Sequence, residues 1–74
     1  MVRPNLSNAN LSNANLSNAN LSKANLIEAN LLDARLSGTD LSEAINLTQS
    51  QVEVAHGDVA TRLPQGLTRP AHWE

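Results

Sequence analysis

The sequence predicts a solenoid, a chain that bends every five residues around an apolar axis and pairs its backbone from one coil to the next. Three observations carry this. Leucine recurs at every fifth position, at Leu6, Leu11, Leu16, Leu21, Leu26, Leu31, Leu36 and Leu41. A small residue stands two positions before each later leucine, at Ala9, Ala14, Ala19, Ala24, Ala29, Ala34 and Thr39. Between them stands Asn, replaced only by Arg35 and Asp40 in the last two units. Repetition this dense outranks local propensity in deciding the fold.

A period of five excludes the regular elements. On a helix each step turns the side chain by about 500°, or roughly 140° net, so the leucines scatter around the cylinder and no apolar stripe forms. On a flat strand the small residue and its leucine share a face, but the next pair arrives with the opposite parity. The chain must therefore turn a corner in every unit. Backbone groups freed at each corner then pair with the coil above or below, as buried peptide groups require.

The phrase Ala9-Asn10-Leu11-Ser12-Asn13 and its copies resemble the A(D/N)LXX signature of pentapeptide-repeat proteins, a resemblance that spans residues 5–44. It implies an all-β solenoid: a right-handed, four-sided β-helix with the leucine and small residue pointing inward and four units per coil. About two coils are then expected, with Leu6 under Leu26, Leu11 under Leu31, Leu16 under Leu36 and Leu21 under Leu41. The structural core would be those leucines together with Ala9, Ala14, Ala19, Ala24, Ala29 and Ala34. Stacked pairs such as Asn5 with Asn25 and Asn10 with Asn30 are expected to form side-chain amide ladders outside.

Three segments follow: a lead-in at 1–4, the repeat at 5–44, and a capping helix with a docking tail at 45–74. At 74 residues the chain is one small domain or less. Two coils leave much end surface, and repeat arrays generally want three or more stacked units, so oligomerisation or marginal stability is expected. The first coil carries Lys23 as its only charge and offers a free edge without proline or charge to blunt it. Two readings stand for this edge: self-association, or an end that the lead-in at 1–4 covers or that simply frays. In the second coil Ile27 and Leu32 replace the outward Ser7 and Ser12. The expectation is that the tail, through Leu63, Leu67 and Trp73, covers this apolar spot; the alternative is a partner-binding patch.

After Ala44 the phrase breaks. Thr48-Gln49-Ser50-Gln51 reads as a capping box with Thr48 as N-cap and Gln51 reaching back, and Gly57 as the stop, so a helix is expected from Gln49 to His56. It would plug the end of the coil. Asp58 reads as the cap of a brief turn, and Pro64-Gln65-Gly66 as a bend. Leu47-Thr48-Gln49, Gly57-Asp58, Leu63-Pro64-Gln65-Gly66-Leu67 and Arg69-Pro70-Ala71-His72-Trp73 resemble the closing segment of many bacterial pentapeptide-repeat proteins. That resemblance implies a natural C-terminus, with any missing coils on the N-terminal side.

The chemistry-bearing residues form no catalytic set. No cysteine is present, so disulfides and thiolate metal sites are excluded. His56 and His72 stand sixteen positions apart without compact further ligands for zinc. The outer serines have no histidine and carboxylate placed to activate them, and Gly38, Gly57 and Gly66 are isolated rather than a phosphate loop. Glu28 and Asp33 would lie on a convex, wet wall, where paired carboxylates cannot be pushed apart in pKa. The expectation is a non-enzymatic chain without metal or cofactor.

A formal charge of −2 implies no dominant electrostatic partner and disfavours nucleic acid. No apolar run marks a signal peptide or membrane span, so the expected location is the cytoplasm. The first functional reading is a structural or protein-interaction module, a homo-oligomer through the N-terminal coil edge with any further protein partner unknown. A second comes from the family: some members resemble duplex DNA in shape and charge and protect a type II topoisomerase, gyrase, which needs a longer and more acidic rod. A third is an ordered Asn/Ser surface that binds a lattice such as ice, or carbohydrate.

Overall fold

The computed structural model describes residues 3–73, so Met1 and Val2 of the lead-in and Glu74 of the tail lie outside it. The repeat folds from its turns outward. In each unit the N–H of the small residue donates to the carbonyl of the preceding leucine, as from Ala9 to Leu6 (3.1 Å) and Ala34 to Leu31 (3.0 Å). The third residue of each four-residue turn has positive φ: Asn8, Asn13, Asn18, Lys23, Glu28, Asp33 and Gly38, between 58° and 73°. A closed turn with positive φ only at its third residue is type II, the pattern that favours Gly and Asn there. Glu43 stands apart, closing its turn without positive φ.

The Asn before each leucine supports the same turn locally. The Asn5 Oδ1 accepts from both the backbone N–H (3.1 Å) and the hydroxyl (2.6 Å) of Ser7. Asn10 and Asn20 repeat this arrangement with Ser12 and Ser22, and Asp40 does so with Ser42. This Asx bond corrects the expected amide ladders. The carbonyl oxygens of Asn5 and Asn10 are committed two residues ahead, not to the Asn twenty residues on. One side-chain amide rung is present, from Asn46 Nδ2 to Asn25 Oδ1 (3.1 Å).

The corners then stack. Parallel bridges join Asn5 to Asn25, Asn10 to Asn30, Asn15 to Arg35, Asn20 to Asp40 and Asn25 to Ile45, each twenty residues apart. At each bridge the upper residue uses both backbone groups: Asn25 donates to the Pro4 carbonyl (2.8 Å) and accepts from the Leu6 N–H (2.9 Å). One circuit of the chain thus takes four units. The turns occupy most of every unit and leave a single residue extended. Among the described residues the pairing is therefore a set of isolated bridges, without continuous strands or a named sheet. The twenty-residue register is present, whereas the extended strands of an all-β fold are not, among the described residues.

Leucines and small residues make the core. Leu26, Leu31, Leu36 and Leu41 are at most 2% exposed, packed with Ala24, Ala29, Ala34 and Ala44. Leu6, Leu11, Leu16 and Leu21 are only partly buried, because nothing among the described residues stacks beneath them. Thr39 is fully buried at a small-residue position, and its hydroxyl donates to the Leu16 carbonyl (2.7 Å). That bond supplies the partner a buried hydroxyl requires.

The ladder continues past residue 44, beyond the two coils expected. His56 bridges Arg35 at an offset of 21 residues and Arg62 bridges Asp40 at an offset of 22. Residues 45–62 thus complete a third, irregular circuit. The helix α1 (Gln49–Glu53) lies within this circuit, not as a plug beyond it, with Val52 buried. It is also shorter than expected. Its C-cap is Val54, because Val54 accepts from the Asp33 N–H and His56 exchanges bonds with Ala34 and Leu36. Rejoining the ladder ends the helix at Glu53, three residues short of the expected His56.

Candidate interaction surface

Three surfaces meet solvent: the end below the first circuit, the outer wall, and the end crossed by the tail. The tail end is the most closely built. Trp73 is 5% exposed and its Nε1 donates to the Ala55 carbonyl (2.9 Å), which His72 Nε2 also approaches at 2.9 Å. Gly57 lies against the indole, where a Cβ would come within 2.5 Å of Cε3. Its φ is not positive, so Gly57 serves close approach and is not a helix stop. Gln49 holds the tail midway, its amide pairing with both backbone groups of Thr68 (2.9 and 3.0 Å). Leu63 and Leu67 pack on the core, and Pro64 to Leu67 forms a turn with Gly66 at φ 97°.

Two polar side chains mend the irregular third circuit. Thr48 and Gln51 form a reciprocal capping box at the start of α1. The Gln51 Nε2 then donates to the carbonyls of Leu26 (2.8 Å) and Ala29 (3.0 Å). In the regular ladder a backbone N–H twenty-one residues on serves that alanine carbonyl, as Asn30 serves Ala9. Asp58 does the converse: its carboxylate accepts from the Gly38 N–H (3.2 Å), where a backbone carbonyl serves the equivalent Asn18. Thr61 repeats the Thr39 device, donating to the Leu36 carbonyl (2.7 Å).

These contacts set the resolved acidities. Burial pushes the Asp58 carboxyl up, but hydrogen bonds from Gly38, Ala60 and Thr61 outweigh it and hold the group below the ordinary value. Asp40 is also lowered, first by the Ser42 hydroxyl and then by the Ser42 N–H, with Arg62 adding a smaller share. His56 meets Asp33 at 3.1 Å on the exposed wall and the His72 ring edge-on at 5.9 Å. Among the described residues no group of three or more such side chains is placed to hold a metal, and no pocket is present.

The wall corrects one expectation. Ile27 is 42% and Leu32 48% exposed, so the tail does not cover them. The reason is visible in the tail's contacts: Trp73 is drawn across the end of the third circuit by Ala55 and Gly57, away from that wall. Ile45, Val54 and Val59 are exposed too, and Val54 follows the Leu32 side of the ladder through its bond with Asp33.

The lower end is open in a regular way. In the second circuit Asn25, Asn30, Arg35 and Asp40 direct both N–H and C=O at the circuit below. Their first-circuit counterparts Asn5, Asn10, Asn15 and Asn20 find no backbone partner for either group among the described residues. Arg3 turns up the wall, where its guanidinium donates to the carbonyls of Lys23 and Glu43.

A sequence-family model described as "Pentapeptide repeats" matches residues 5–42 in 8 copies. No curated protein and no solved structure gives a significant match to the chain.

Proposed function

The chain belongs to the pentapeptide-repeat family, and from that membership we propose that it is a non-enzymatic structural and protein-interaction module that associates with itself through its open first circuit. The observation that supports this most is the row of backbone groups at Asn5, Asn10, Asn15 and Asn20 that find no backbone partner among the described residues, beneath half-buried leucines. Unpaired edges of this kind are templates for pairing with another chain. On this reading the circuits wind as a right-handed quadrilateral β-helix, the family's usual form, and work as a rod end in the cytoplasm without cofactor.

Sedimentation velocity over a wide concentration range tests the reading. A concentration-dependent rise in mass is expected. A monomer at every concentration refutes self-association and leaves only the wall at Ile27 and Leu32 as a binding surface.

A further inference from the structure

We infer that the open end pairs with the same end of a second copy, antiparallel across a two-fold axis, and that assembly stops at the dimer. This rests on the self-association proposed above and adds its geometry. Each upper corner residue spends both its N–H and its C=O on the circuit below, as Asn25 does with Pro4 and Leu6. The repeat reproduces that orientation in the first circuit. Asn5, Asn10, Asn15 and Asn20 therefore each present a donor and an acceptor together, pointing out of the same end.

A residue with both groups on one side is what a hydrogen-bonded antiparallel pair consumes, since the two partners exchange both N–H···O bonds. A two-fold axis lying in the end face reverses the chain direction of the second copy. It also carries a four-cornered end onto itself, so every corner Asn meets a corner Asn of the partner. The first circuit climbs one rung from Asn5 to Asn25, so only the axis passing between Asn10 and Asn15 keeps the gap even, pairing Asn5 with Asn20 and Asn10 with Asn15 of the second copy. Such an interface is isologous and closes on itself.

Two further observations favour this partner. Charge does not oppose it: the first circuit carries only Lys23, and Arg3 is engaged up the wall. Head-to-tail growth is blocked, because the other end is crossed by Trp73, His72 and the Thr68 segment. The half-buried Leu6, Leu11, Leu16 and Leu21 supply the apolar centre. The interface is small. A standard one takes about 800 Å² per partner, close to a fifth of the 4475 Å² of this chain's surface. A dimer of modest affinity is expected.

The test joins mass with amide exchange on the 74-residue chain. Sedimentation equilibrium is expected to fit monomer and dimer with nothing larger. At concentrations where dimer dominates, exchange at the Asn10, Asn15 and Asn20 amides is expected to slow by about tenfold or more, while exposed wall amides stay unchanged. The double variant Asn10→Pro, Asn15→Pro removes two donors per copy and is expected to weaken the dimer by about tenfold or more. Its fold is checked through Trp73 emission, which reports the opposite end; should it not fold, the exchange measurement on the unaltered chain decides.

The outcomes separate cleanly. A monomer throughout overturns the self-association reading and this inference together. A dimer that protects wall amides and ignores the prolines overturns pairing through this end. Protected edge amides with species growing beyond dimer leave edge association standing and overturn the closed antiparallel geometry.

Discussion

Replacing Gly57 with Ala tests whether close approach to Trp73 is what the glycine provides. An added Cβ would lie 2.5, 2.7 and 2.8 Å from three indole carbons, against a comfortable carbon separation of about 3.5–4.0 Å. The ring must move by roughly 1 Å or leave. Moving within the packed site costs about 1–3 kcal/mol. Leaving forfeits about 4–6 kcal/mol of indole burial and about 1 kcal/mol for the bond to Ala55. Leaving also returns conformational freedom to the tail, which offsets part of that loss. The expected loss of stability is about 1–3 kcal/mol, capped by the cheaper route. Trp73 is the only aromatic residue of the chain, so its emission reads the tail alone. A red shift with little change in far-UV circular dichroism is the expected result. The opposite sign is equally well defined. Gly57 does not have positive φ, so without the clash alanine would stabilise the chain by about 0.4–1 kcal/mol through the unfolded state. An unshifted emission with a raised melting temperature would refute the reasoning.

Lys23 and Glu28 hold positive φ of 73° and 58°, so Lys23→Gly and Glu28→Gly are each expected to stabilise by up to about 1 kcal/mol in urea melts. Gly38→Ala goes the other way by about 1–2 kcal/mol or more, since φ is 70° and the new Cβ would sit 2.4 Å from Asn18 Oδ1. Gln51→Leu is expected to cost about 1–3 kcal/mol by thermal melt, as it loses the capping box and orphans the Ala29 carbonyl, while the Leu26 carbonyl keeps its bond from Ala29. Gln51→Glu should restore the capping box alone, because it turns an acceptor toward both carbonyls. Asp40 and Asp58 are depressed in the folded chain, so below the ordinary value of 3.8 the unfolded state binds more protons. Their contribution to stability is present above that value and is lost as pH falls through the lowered folded values; acid melts that show no such loss would refute it.

The register of the first two circuits was legible because period five leaves the chain no straight element. The bend in every unit came from the spacing; the four-unit coil that placed Leu26 above Leu6 came from the family resemblance, and the bridges follow it. The extended strands were not to be had, since a turn in every unit leaves one residue to pair. The third circuit was hidden by two insertions that broke the period. Its signal was nonetheless present: Thr61-Arg62-Leu63 repeats Thr39-Asp40-Leu41, and Ala55-His56 repeats Ala34-Arg35. Reading small-polar pairs without insisting on spacing would have found it. The sequence also suggested a stop at Gly57, where the ladder claimed the chain first. The tail's path was beyond reach, because the groove between Gly57 and Ala55 that seats Trp73 exists only after the third circuit has closed.

The burial pattern couples folding to assembly. Leucines of the second circuit are closed from both sides, whereas those of the first are closed from one. The first circuit also leaves its corner groups to water, so its local stability must be the lowest in the repeat. A second copy placed beneath it supplies the missing layer of leucines and partners for the groups of Asn5, Asn10, Asn15 and Asn20 at once, and leaves the Ser7, Ser12 and Ser17 carbonyls to water. Association therefore stabilises the same residues that are weakest alone, and the gain grows with concentration by mass action. The irregular third circuit solves the matching problem at the opposite end within one chain. There Gln51 and Asp58 supply side-chain donors and acceptors where the ladder slips, and the tail closes what remains. The first circuit, with Asn and Ser outside and a strict period, has no such side chains reaching below it among the described residues. Its regularity leaves backbone as the only chemistry it can offer at that end, and backbone of matching spacing is what an identical circuit presents.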